Sequence, residues 1–126
     1  MPKIVVVDDD RGTCLLISAA LKRDGRQIFT AYDAMGGFTL VMRERPDLLI
    51  LDLSMPAGGG FSIADRMRRI PALAQIPILV ITATDDPIQR TRAEEIGAVA
   101  FVLKPIDAVE LRRVVDTACG LNDTPR

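Results

Sequence analysis

Five short apolar runs punctuate the chain, at residues 3–8, 27–31, 47–52, 76–82 and 98–103. The weakest of the five is 27–31; the runs are apolar almost throughout instead of alternating, the pattern of strands buried on both faces of a parallel sheet. Between the runs, apolar residues recur at helical spacing. Thr13, Leu16, Ile17, Ala20 and Leu21 fall at i, i+3 and i+4 before Gly25 stops the helix, and Leu15 lies off that stripe, on the expected surface. The same spacing predicts helices over 33–44, 60–69, 87–96 and 107–118. Asp86-Pro87 supplies an N-cap and a first-turn proline, and Gly97 a C-terminal stop. Gly36-Gly37 weakens the second helix, because each interior glycine costs about 1 kcal/mol. Strand and helix alternate five times, so right-handed crossovers predict an α/β fold, a doubly wound (βα)5 three-layer sandwich.

At 126 residues the chain is long enough for one domain with its own core. Residues 1–120 are expected to form that domain, with 121–126 a short C-terminal tail. The longest charge-free stretch, 70–84, is shorter than the ~20 residues a bilayer needs and contains Pro71 and Pro77. No membrane association is expected, and the first apolar run is too short for a signal peptide, so the expected location is cytoplasmic. Sixteen basic and seventeen acidic residues leave a net charge of −1 with no basic cluster beyond pairs such as Arg68-Arg69, which argues against direct nucleic-acid binding. Cys14 and Cys119 lie far apart in helical pattern and read as small core hydrophobes. Histidine is absent, which excludes imidazole-based catalysis and histidine-ligated zinc.

Chemistry in an open parallel sheet sits beyond the carboxyl ends of the strands. There the chain offers Asp8-Asp9-Asp10, Asp52, Thr82 and Lys104. Asp10 reads as a helix cap. The remaining carboxylates, crowded on one rim, stay ionised together only beside a cation, and an oxygen-only set suits magnesium. Lys104 is one of only three lysines, set directly after an apolar run. With Thr82 it can hold the oxygens of a phosphoryl group while Asp52, the lone acid closing the central run, attacks phosphorus. Gly58-Gly59-Gly60 lacks the spacing and the Lys-Ser/Thr pair of a phosphate-binding loop and is expected to be a loose loop.

The order Asp8-Asp9, then Asp52-Leu53-Ser54-Met55-Pro56 with Gly60 eight residues past Asp52, then Thr82-Ala83, Gly97-Ala98 and Lys104-Pro105 resembles the receiver domains of bacterial two-component response regulators. The likeness runs over about residues 3–118. It implies a flavodoxin-like sheet in the order 2-1-3-4-5 and a sensor histidine kinase or histidine phosphotransfer protein as donor to Asp52. It also implies magnesium held by Asp8, Asp9, Asp52 and the Ser54 backbone carbonyl. Lys104 would pair with the phosphoryl oxygens, Thr82 would swing toward them, Phe101 would move inward with Thr82, and Ala83 would leave the site open. Ser54 and Thr84 would tune the lifetime of the acyl phosphate. Such a domain is not an enzyme acting on a free substrate. It catalyses its own phosphorylation and dephosphorylation and signals through its fourth helix, fifth strand and fifth helix to a downstream protein, or through a phosphorylation-dependent homodimer. An output domain beyond residue 126 is compatible with this reading. An interaction module without phosphorylation would be expected to lack the acceptor, a metal-binding acid or the lysine. A flavodoxin-like cofactor protein would carry a Ser/Thr/Gly-rich loop where this chain has Asp8-Asp9-Asp10-Arg11. A haloacid-dehalogenase-type phosphatase would place an acid at Ser54.

Overall fold

A computed structural model describes residues 2–22 and 25–119. The tail proposed at 121–126 lies outside them. Five parallel strands, β1 (Lys3–Val7), β2 (Gln27–Ala31), β3 (Leu48–Asp52), β4 (Ile78–Thr82) and β5 (Ala100–Leu103), form one sheet in the order β2-β1-β3-β4-β5. Between and after them run α1 (Arg11–Lys22), α2 (Ala34–Glu44), α3 (Gly59–Arg68), α4 (Pro87–Glu95) and α5 (Ala108–Ala118). This is the doubly wound α/β sandwich expected.

Alternation along the strands sorts side chains into two cores. Val5, Val7, Leu49, Leu51, Ile78 and Val80 face the layer of α2, α3 and α4, while Ile4, Val6, Leu48, Ile50, Leu79 and Ile81 face α1 and α5. β3 and β4 are buried at every position, so each apolar strand residue contributes roughly 1.5–3 kcal/mol of burial. β2 and β5 differ from the expectation of burial on both faces: they are the sheet edges, and most of their residues are only partly covered. The α1 stripe also shifts. Cys14, Ile17, Ala20 and Leu21 are buried, whereas Leu16 is turned outward and Leu15 is 72% exposed. Thr13 spends its hydroxyl on Asp10, whose carboxylate also accepts the Gly12 amide and so caps α1. Cys14 is in the core as expected, and Cys119 is half-buried; both are free thiols.

Gly37 is where α2 meets the sheet. A Cβ there would lie 2.7 and 2.9 Å from the two methyls of Val7. The glycine that weakens the helix in isolation is what lets it seat on β1. Asp33 caps α2 by accepting the Gly36 amide at 2.7 Å, and Asp86 and Asp107 cap α4 and α5 in the same way. Gly25, at φ 79°, and Gly97, at φ 72°, adopt the left-handed conformation that follows helix ends. The loop expected at Gly58-Gly59-Gly60 is instead a one-turn 3-10 segment, Pro56–Gly58, that runs straight into α3. Pro56 starts that turn, and Gly58, at φ 68°, redirects the chain into the helix.

Candidate functional site

Every candidate acid and base sits on one rim because the strands are parallel and of nearly equal length. β1 delivers Asp8 and Asp9, β3 delivers Asp52, β4 delivers Thr82, and Lys104 follows β5. β1 and β3 are neighbours although not consecutive, so this rim is also where the strand order reverses. The Lys104 amide donates to the Thr82 carbonyl at 2.9 Å, which carries the β4–β5 ladder one residue past the strand and fixes where the lysine leaves the sheet.

The Lys104 ammonium lies 2.8 Å from Asp8 Oδ2 and 3.3 Å from Asp52 Oδ2, bridging two carboxylates that are almost fully buried. Asp52 Oδ1 accepts two further hydrogen bonds, from the Ser54 amide at 2.8 Å and the Ser54 hydroxyl at 2.5 Å. Asp8 Oδ1 accepts the Asp10 amide at 2.9 Å, but Asp8 Oδ2, although buried and in ionic contact with Lys104, accepts no aligned hydrogen bond. Burial pushes the Asp8 carboxyl up to about 6, aided by the negative charge of Asp52 and opposed by Lys104 and the Asp10 amide. Burial works against the Lys104 ammonium, yet the carboxylates of Asp8 and Asp52 outweigh it and raise its pKa.

Asp9 is exposed, and one carboxylate oxygen from each of Asp8, Asp9 and Asp52 falls within 4.8 Å of the others. Thr82 is fully buried at the end of β4, with its hydroxyl accepting the Thr84 amide at 3.4 Å. Ala83 and Thr84 are exposed on the loop that follows. Phe101 lies apart from this rim, partly buried against α4. What the structure fixes of Ser54 is its amide and hydroxyl on Asp52.

Three contacts escaped sequence reasoning. A Cβ at Gly60 would lie 2.2 Å from the Asp52 carbonyl oxygen, so α3 abuts the backbone of the central acid. Its spacing from Asp52 marks the position but not this contact. The Gln89 amide of α4 reaches the Leu53 carbonyl at 3.5 Å, and Arg90 lies over Phe101 at 4.0 Å. Polar residues of a solvated-looking helix give no signal for either.

The model of the response regulator receiver domain matches residues 4–116, nine-tenths of the chain. The chain belongs to the response regulator receiver family. Curated relatives of this receiver domain include the DNA-binding dual master transcriptional regulator RpaA of Synechocystis sp., 34% identical over 111 residues, which are 88% of this chain and 46% of that protein. Another is the transcriptional regulatory protein AfsQ1 of Streptomyces coelicolor, 34% identical over 116 residues, 92% of this chain and 48% of that protein. The receiver domain thus spans about half the length of these relatives. Among solved structures, Vibrio cholerae chemotaxis protein CheY4 superposes with a TM-score of 0.87 at 25% identity, covering 94% of this chain and 98% of that one. A response regulator from Thermotoga maritima superposes at 0.85 with 27% identity, covering 95% and 98%. The fold is that of the CheY-like proteins.

The donor set fits a hard divalent cation. It consists of oxygen atoms only, three carboxylates converge, and one buried carboxylate oxygen has a free lone pair that no aligned donor uses. The acidic cluster can therefore hold a metal. Among the described residues no helix is long and apolar enough to cross a membrane.

Proposed function

We propose that this receiver domain accepts a phosphoryl group on Asp52 from the phosphohistidine of a sensor histidine kinase or histidine phosphotransfer protein. The observation that supports this most strongly is the Lys104 ammonium held between Asp8 and Asp52, beside a converging set of acids. An Asp52 carboxylate oxygen attacks phosphorus, an O–P bond forms, and the N–P bond of the donor breaks with its electron pair returning to the donor imidazole. Ser54 keeps the other oxygen fixed through two hydrogen bonds, so the carboxylate is oriented before the donor arrives. Lys104 turns from the carboxylates toward the non-bridging oxygens of the new dianion, and Thr82 donates its hydroxyl to one of them. Ala83, small and exposed, leaves the approach clear, and Thr84, exposed beside it, tunes with Ser54 how soon water reaches the acyl phosphate.

Asp8, Asp9 and Asp52, with the Ser54 backbone carbonyl, would hold magnesium. When bound, magnesium neutralises the crowded carboxylates and the charge of the phosphoryl oxygens. The domain catalyses its own phosphorylation and hydrolysis without acting on a free substrate. Movement of Thr82 and Phe101 carries the state to the face of α4, β5 and α5, where a protein partner or a second copy reads it. The domain works in the cytoplasm. The names of its half-matched relatives support a place in transcriptional regulators, with the receiver as the switched half.

Borohydride reduction tests the acceptor. Hydride reduces an aspartyl phosphate to the alcohol with loss of phosphate, so trapping after treatment with an acyl-phosphate donor, followed by peptide mapping, should place homoserine at position 52. Homoserine at Asp8 or Asp9, or at no acid in a protein that had gained phosphate, would refute the assignment.

A further inference from the structure

α4 is tied to the fold in an unusual way. It buries only Ala93 within its own length, less than any other helix of the domain. Its arginines compensate. The Arg90 guanidinium lies 4.0 Å from the centre of the Phe101 ring, and that of Arg92 lies 5.9 Å from the Phe61 ring. Arg90 is also anchored at its edge: its Nε donates to Asp85 Oδ1 at 2.7 Å. Asp85 belongs to the short loop that joins Thr82 to α4. Arg90 therefore touches both ends of the proposed relay, the loop that begins at Thr82 and the ring on β5.

The surroundings of the ring sharpen the point. Phe101 borders a hollow of about 130 Å³ whose other walls are Ala93, Ala98, Ala100, Glu94 and Arg90. Three of these are alanines, too short to pin an aromatic ring. A guanidinium stacked on a ring and clamped by a carboxylate is a directional contact that the ring loses when it turns away. The lysine bridging two free carboxylates marks this arrangement as the unphosphorylated one.

We propose that Arg90, clamped by Asp85, is a latch that holds Phe101 in its resting position and so sets how readily this receiver domain switches. The latch rests on the reading of Phe101 as the moving aromatic. Arg90 is a positioning residue and touches none of the reacting atoms. Releasing it favours the switched arrangement by about 2–5-fold, the ratio equivalent to one exposed cation–π contact. Phosphorylation by a small donor, which draws on that arrangement, speeds up by a similar factor.

The test uses the whole chain labelled with 4-fluorophenylalanine. Four phenylalanines give four fluorine signals, and Phe101→Leu identifies the one from residue 101. Signal positions are recorded with and without an acyl-phosphate donor in magnesium buffer, and phosphoryl uptake is followed by intact mass. In Arg90→Ala the unphosphorylated Phe101 signal should move toward its phosphorylated position, with uptake about 2–5-fold faster. Asp85→Asn should do the same more weakly, and Arg90→Lys, which keeps the charge but not the planar stack, should fall between. Arg92→Ala should lower the melting temperature yet leave the Phe101 signal in place. If the wild-type signal responds to phosphorylation but Arg90→Ala changes neither its resting position nor the uptake rate, the latch is wrong and the moving aromatic stands. If the wild-type signal ignores phosphorylation, both are wrong.

Discussion

Gly60→Ala probes the junction between the scaffold and the acceptor. Alanine stabilises a helical position by up to about 1 kcal/mol over glycine, and Gly60 is the second residue of α3. Here the added Cβ would lie 2.2 Å from the Asp52 carbonyl oxygen, 3.0 Å from its carbonyl carbon and 3.3 Å from the Leu53 Cα. These are backbone atoms of the sheet end, and no side chain can rotate to relieve them. Reaching even 3.0 Å requires α3 and the 52–53 backbone to separate by at least 0.8 Å, the shortfall from the 2.2 Å contact. Overpacking of this kind costs roughly 1–3 kcal/mol, and a backbone clash sits at the upper end, so a net loss of about 2 kcal/mol remains after the helical gain. For a domain of this size that lowers the melting temperature by roughly 5–10 °C. The displaced backbone carries Asp52, and a shift near 1 Å in a reacting group can cost on the order of 100-fold in rate. Gly59→Ala is the control, since its nearest neighbours, Ala34 Cβ at 3.4 Å and Met55 Cε at 3.5 Å, allow ordinary contact. Thermal unfolding together with the rate of phosphoryl uptake reads both variants. Gly60→Ala with wild-type stability and wild-type uptake would refute the reasoning.

Lys104→Met removes the cation that two buried carboxylates share; it should destabilise the metal-free protein by about 2–4 kcal/mol in urea unfolding, below the ~3–5 kcal/mol of a fully buried pair because Lys104 is 19% exposed. The same variant should keep its magnesium affinity within about tenfold while its phosphoryl uptake falls further. Gly37→Ala should lower stability by about 1 kcal/mol despite the better helix former, and Val7→Ala in the same chain should make the alanine favourable, as a double-mutant cycle would show. Cys14, pushed up to about 11 by burial and the nearby Asp8 charge, carries about 100-fold less thiolate near pH 8 than a thiol at the ordinary 9.0. Burial raises the Cys119 thiol too, but Cys119 is only half-buried, so alkylation of the native protein at pH 8 should mark it first and reach Cys14 only with urea or at strongly alkaline pH.

Asp8, Asp52 and Lys104 were legible in the sequence because each ends or follows an apolar run, and parallel strands stack such ends on one rim. Spacing alone could locate them. The edge character of β2 and β5 is not legible in their own residues; it follows from the strand order, which only the resemblance implies. The periodicity puts Thr13 and Leu16 on the α1 stripe and Cys14 reads as a small core hydrophobe beside it; only the packing of α1 against α5 turns Leu16 out and leaves Cys14 in. Gly37 and Gly60 looked like weak points of helix and loop, yet each marks a close approach to Val7 or to the Asp52 carbonyl that no local pattern encodes. Arg90 stacked on Phe101 is a contact between a charged residue and a strand residue eleven positions later, with no periodicity to announce it.

The most direct test of the central claim is the intact mass of the protein after incubation with magnesium and a small acyl-phosphate donor, wild type beside Asp52→Asn. A labile gain of about 80 Da that requires magnesium and is absent from Asp52→Asn is the predicted result. No gain from that donor or from phosphorylated histidine kinases, or an equal gain in Asp52→Asn, would contradict it.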